Sequence, residues 1–128
     1  MLVFVYGTLT DHDRAATVLE TFEFVGDAVL SGLHCVDGEY PTLAPGGETT
    51  GRLLETPDVT LLDSYEGVER GLYARITVPA ETDEVAVYVG DPVRLGVEES
   101  VSWPGDEPFE RRVRRFVKEQ DVRVQTAE

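Results

Sequence analysis

Residues 2–6 read Leu-Val-Phe-Val-Tyr, a continuous apolar run that stops at Gly7. β-Branched and aromatic residues bounded by a glycine read as a strand, and a run with no polar position reads as a buried one. A buried strand so near the first residue needs the rest of the chain to cover it. That chain has 128 residues. This suits one domain, at about 100–200 residues each. It also suffices to bury on the order of two-thirds of the unfolded surface.

Asp11 or Asp13 can cap a helix running to about Phe22, with Ala15, Val18, Leu19 and Phe22 at helical spacing. Ala28–Leu30, Leu33–Val36 and Gly51–Glu55 are short strand candidates in a stretch punctuated by Gly38 and Pro41. Thr56, Pro57 and Gly67 then supply start and stop signals for a short helix containing Leu61, Leu62 and Tyr65. Glu66 falls at its C-terminal end. Arg75–Pro79 and Val85–Val89 alternate around an acidic turn and read as a hairpin. Residues 91–108 are turn-rich. Glu110 to about Gln120 reads as an amphipathic helix with Val113, Phe116 and Val117 inward. The class expected is α+β, with five to seven short strands and two or three helices.

Charge narrows the function. There are 25 acidic and 11 basic residues, a net charge of −14. Phosphate neutralisation needs clustered cations, so neither nucleic acid nor an anionic membrane is an expected partner. The one dense cluster, Arg111, Arg112, Arg114 and Arg115, lies among acidic neighbours and reads as a solvated helix face. Only Lys118 among the cations is lysine. High acid with almost no lysine resembles proteins of salt-accumulating halophiles, whose surfaces need screening; melting temperature is then expected to rise with KCl. One cysteine, Cys35, excludes an intramolecular disulfide, and two histidines offer no His-dominated metal site. No apolar run approaches the ~20 residues of a membrane span, and no basic region precedes the first strand as in a signal peptide. A soluble, cytoplasmic protein without cofactor or metal is expected.

The sequence has no phosphate-binding loop, dinucleotide fingerprint, HExxH or GxSxG. Two other segments carry chemistry. In Tyr6-Gly7-Thr8-Leu9, a strand ends at a glycine that lets backbone approach a ligand, and successive N–H groups there can hold a carboxylate. In Leu61-Leu62-Asp63-Ser64-Tyr65-Glu66-Gly67, a carboxylate lies between an apolar helix and a glycine turn. Burial and a helix C-terminus would both raise its pKa and suit it to proton transfer.

In this order, and with Gly38-Glu39-Tyr40-Pro41 between them and Tyr73 after them, these segments resemble the gamma-glutamylcyclotransferase-like superfamily, which includes gamma-glutamylamine cyclotransferases and AIG2-like proteins. The resemblance covers about residues 1–90. It implies a small mixed β-barrel flanked by helices, with a ligand cavity at one end. It further implies that Tyr6, Gly7, Thr8 and Leu9 hold the substrate and that Glu66 is the catalytic acid/base. Tyr73 would line the pocket, and Tyr40 is a weaker substrate-binding candidate. For Arg75, pairing with a carboxylate and an outward charge-balancing position stay open. The activity implied is release of 5-oxoproline and a free amine from a small gamma-glutamyl substrate. A non-catalytic binder of an amino-acid-like ligand is the alternative, and self-association through the arginine-bearing helix is a third. Residues 91–128 are read on their own, as a loop over the barrel mouth with Trp103 as a hydrophobic anchor, followed by the last helix. Oligomeric state and the leaving amine stay open.

Overall fold

The computed structural model describes residues 1–37, 41–81 and 83–126. Its elements are β1 (Leu2–Val5), a 3-10 turn (Thr8–Thr10), α1 (His12–Val18), β2 (Glu23–Val36), β3 (Thr42–Glu55), α2 (Val59–Glu66), a second 3-10 turn (Val68–Arg70), β4 (Tyr73–Pro79), β5 (Glu84–Gly90), α3 (Pro92–Leu95), α4 (Phe109–Glu119) and β6 (Arg123–Thr126). Six strands form one sheet in the order β4-β5-β1-β3-β2-β6. β1 runs parallel to β5, and every other strand pairing is antiparallel. The sheet curls into a half-barrel until its two edges touch at a parallel bridge between Ala80 and Val124.

The apolar first strand sits mid-sheet because both its faces are covered. Phe4 packs into the cluster that holds Leu33, Ile76, Val87, Trp103, Val113 and Val117. Val3 and Val5 pack on the other side, with Leu9, Ala15, Leu19, Leu54 and Leu62. Successive side chains of a strand point to opposite faces, so a two-faced core requires an unbroken apolar run.

The hairpin and last helix lie where the sequence places them; Val113 and Val117 are buried, and Phe116 packs against the same core. Elsewhere the boundaries differ, for identifiable reasons. α1 stops at Val18 because Leu19 is extended, and the next two N–H groups, of Glu20 and Thr21, donate to Asp58 Oδ2 at 3.1 and 2.8 Å. Phe22 instead packs beside His12 and Phe24. α2 starts at Val59, with Asp58 as its cap residue. Thr56, fully buried, accepts from Asp58 N and donates to Thr21 O, tying the two helix ends together.

The short strand candidates fuse into two 14-residue strands, β2 and β3. Gly32 looks like a break but forms a bulge in β2. Opposite it, Gly46 and Gly47 take the left-handed conformation (φ 95 and 73) and absorb the extra residues between Pro45 and Glu48. Bulges of this kind bend long strands into a barrel wall. The turn-rich segment contains α3, capped by Asp91 and closed by Gly96, and a sixth strand follows α4. No helix among the described residues is long and apolar enough to cross a membrane.

Candidate active site

α2 points Glu66 inward through its periodicity. Leu62 is fully buried, and Glu66, four residues on, shares its face. Gly67 ends the helix in the left-handed conformation (φ 69), donating to the carbonyls of Asp63 and Ser64. A Cβ there would lie 2.8 Å from Leu72 Cδ1, so conformation and packing both favour glycine.

Across from Glu66, β1 runs out at Val5 and the chain enters the 3-10 turn. Leu9, 4% exposed, anchors that turn in the core beside Ala15 and Leu19. Among the described residues, a Cβ on Gly7 would meet nothing nearer than Pro41 Cγ at 4.0 Å, so none of their atoms demands glycine there. What its absent side chain leaves open is part of the cavity wall.

That cavity has a volume of about 530 Å³ and is bordered by Tyr6, Gly7, Thr8, Leu9, Glu66 and Tyr73 together. Its size suits a small molecule, for which sites of about 300–1,000 Å³ are usual. Tyr40, the weaker candidate, lies outside the described residues; its neighbour Pro41 borders the cavity and accepts a hydrogen bond from Tyr73 Oη at 2.6 Å.

Burial raises the Glu66 carboxyl from 4.5 to about 7. At that value it can both take and give a proton near neutral pH. Tyr6 is held well above the usual phenol range, by burial first and then by Tyr73 and Glu66. Tyr6 therefore stays neutral and works as a hydrogen-bonding group.

Several lining residues are new. Tyr88, buried on β5, accepts at its carbonyl from Tyr6 Oη (2.6 Å) and donates its own hydroxyl to Asp63 Oδ1 (2.6 Å). Burial raises its pKa too, with Asp63 adding to the effect. Asp63 Oδ2 lies 3.3 Å from Arg75 Nη1, which resolves Arg75 as a carboxylate partner. Tyr65 Oη lies 3.0 Å from Thr8 Oγ1. Arg70, Leu72, Arg94 and Leu95 complete the rim. The alternation expected of Val85–Val89 does not hold: β5 is buried on both faces from Val85 onward, which is why Tyr88 left no trace in the sequence. Arg94 had a usable signal: Asp91, Pro92 and Gly96 are cap, first-turn and stop residues for α3.

A strand leading to a Tyr-Gly-Thr-Leu turn, facing a glutamate at a helix end, is thus a physical arrangement and not only a sequence order. The sequence model for gamma-glutamyl cyclotransferase, AIG2-like, matches residues 3–105. The chain belongs to that family. The match reaches fifteen residues past position 90 and so takes in α3 and Trp103.

Solved structures agree on the fold. A gamma-glutamyl cyclotransferase is similar at TM-score 0.61 and 15% identity, over 92% of this chain and 98% of that one. An uncharacterized protein from Pyrococcus horikoshii gives 0.58 and 16%, over 94% and 92%. A protein from Arabidopsis thaliana, solved in solution, gives 0.55 and 27%, over 94% and 84%. No curated protein matches. Among the described residues there is no group of three or more His, Cys, Asp or Glu side chains able to hold a metal ion.

Proposed function

We propose that the protein cyclises a gamma-glutamyl amine or peptide, releasing 5-oxoproline and a free amine, with Glu66 as the acid/base. The observation that carries this reading is a carboxyl raised to about 7 across a cavity from the Tyr6–Leu9 turn. The substrate's alpha-amine attacks its own side-chain carbonyl and closes a five-membered ring. The C–N bond to the leaving group then breaks. Glu66 takes the proton released by the attacking amine and returns it to the departing nitrogen, so it ends as it began.

Because the attack is intramolecular, holding one conformer supplies much of the entropic part of the barrier. The substrate's alpha-carboxylate is assigned to the N–H groups of residues 6–9, whose first helical turn has donors that need outside partners. A local dipole is needed there, since the overall charge of −14 opposes an anion. Tyr6 and Tyr73 form the walls.

The test is a product assay at high KCl. The protein is incubated with gamma-glutamyl amines, amino acids and peptides, and 5-oxoproline is sought by mass spectrometry beside Glu66→Gln. Product that depends on Glu66 establishes the reaction and names the leaving group. Folded protein that binds 5-oxoproline and forms none would overturn catalysis in favour of a binding role.

A further inference from the structure

The described lining of the cavity carries the opposite charge to the rest of the molecule. Among the described residues that border it, Glu66 is the sole acid, while Arg70 and Arg94 are both cations. Neither guanidinium group has an ion pair or a hydrogen bond among the described residues. Both guanidinium groups lie along one rim. Arg70 Nη2 lies over Gly67, 3.0 Å from where a Cβ would stand; Arg94 Nε and Cζ lie over Gly71, at 3.8 and 3.9 Å. The rim thus starts next to Glu66 and continues away from it. It is built from two separate elements, the 3-10 turn after α2 and the helix α3.

We propose that Arg70 and Arg94 form a subsite for an anionic group, a carboxylate, on the departing part of the substrate, and that they select against cationic amines. This rests on the cyclisation reading for which end of the substrate lies there. A planar guanidinium group matches a carboxylate in shape as well as charge, and two of them line this cavity. In a chain of net charge −14, they make the cavity mouth a local positive region that focuses anions and repels polyamines. Placed next to the acid/base, they would hold the leaving amine where Glu66 can protonate it.

The experiment compares gamma-glutamyl-glycine with gamma-glutamyl-glycinamide, which differ in one carboxylate, and with the cationic gamma-glutamyl-ethylenediamine. Turnover is measured at low and multimolar KCl for the wild type, Arg70→Gln, Arg94→Gln, the double variant and Arg94→Lys. The wild type is expected to favour the glycine compound over the glycinamide by about tenfold in kcat/KM, through KM, as one charge-assisted contact would give. Salt should shrink that ratio. The double variant should bring it near one, and Arg94→Lys should keep part of it. A wild-type ratio near one, or a preference for the cationic compound, overturns the proposal. So does an equal loss on all three compounds, which would put the guanidinium groups on the shared glutamyl carboxylate. Calorimetric binding of the same compounds separates this from the reading beneath it. If nothing is turned over but the carboxylate preference in affinity is present and vanishes in the double variant, cyclisation falls and the anion subsite stands.

Discussion

The protein treats its arginines in two ways. On α4 three of the four, all but Arg111, are engaged locally. Arg114 pairs with Glu110 at 3.2 Å, Arg115 pairs with Glu107 and Glu119, and Arg112 donates to Trp103 O at 3.3 Å. At the cavity, the Arg70 and Arg94 side chains pair with no acid among the described residues, and the acid that shares the lining, Glu66, has its pKa raised by burial. The α4 set closes the apolar side of the half-barrel: Trp103, 3% exposed, stands edge-on to Phe109 and Phe116 under that helix. A net charge describes neither region. What separates them is whether each charge is answered within the protein or left for a ligand.

The apolar side should be the harder to damage quietly. Trp103→Ala is expected to cost about 3–5 kcal/mol, as for large buried aromatics, measured by denaturant unfolding. A loss under about 1 kcal/mol would mean that the loop does not anchor there.

Glu66→Gln should leave the fold intact and lower turnover by at least about 10²-fold, a low-end figure for acid–base residues. Its stability should change in the other direction, and the sign follows from the pKa. The folded carboxyl titrates near 7, above its ordinary 4.5. The folded state therefore holds that proton more tightly, and ionisation penalises it as pH rises from about 4.5 through 7. The variant removes the penalty. Its melting temperature should exceed the wild type's above pH 7, and the gap should close as pH falls to 4.5. A pH-independent gap would mean that Glu66 is not buried in its acid form.

Smaller effects sharpen the contrast further. Gly67→Ala should cost on the order of 1–2 kcal/mol for the left-handed conformation and the Leu72 contact. It should also lower activity by moving Glu66, which Gly67 adjoins. Arg115→Ala, on the surface, should cost under about 1 kcal/mol, and less in high salt. If Arg115→Ala proved the larger of the two, the α4 ion pairs would be more than local charge balance.

The sequence exposed what depends on local chemistry. The apolar run at residues 2–6, the Gly67 stop and the Val85–Val89 hairpin strand each have a cause within a few residues, and each stands where expected. What stayed hidden depends on partners distant in the chain. Asp58 ends α1 by capturing N–H groups 37 and 38 residues away. Pro45, Gly46 and Gly47 look like a loop until β2 lies alongside with its own bulge at Gly32. The site divides in the same way. Glu66 and the Tyr6–Leu9 turn were visible as motifs, whereas Tyr88 reaches Asp63 only when β5 and α2 are assembled.

The parallel pairing of β1 with β5 also sets an order of events. Val3 and Phe4 meet Ala86 and Val87, yet the other flank of β1 meets residues 52–55. On a ribosome, the first strand emerges first but cannot be enclosed on both edges until about two-thirds of the chain has followed. Until then its apolar side chains wait without a finished sheet, a state that invites wrong pairings. Closure across so many residues is slow for entropic reasons. The Tyr6–Leu9 turn follows directly on that strand, so its setting in the finished sheet requires β5 as well as β3.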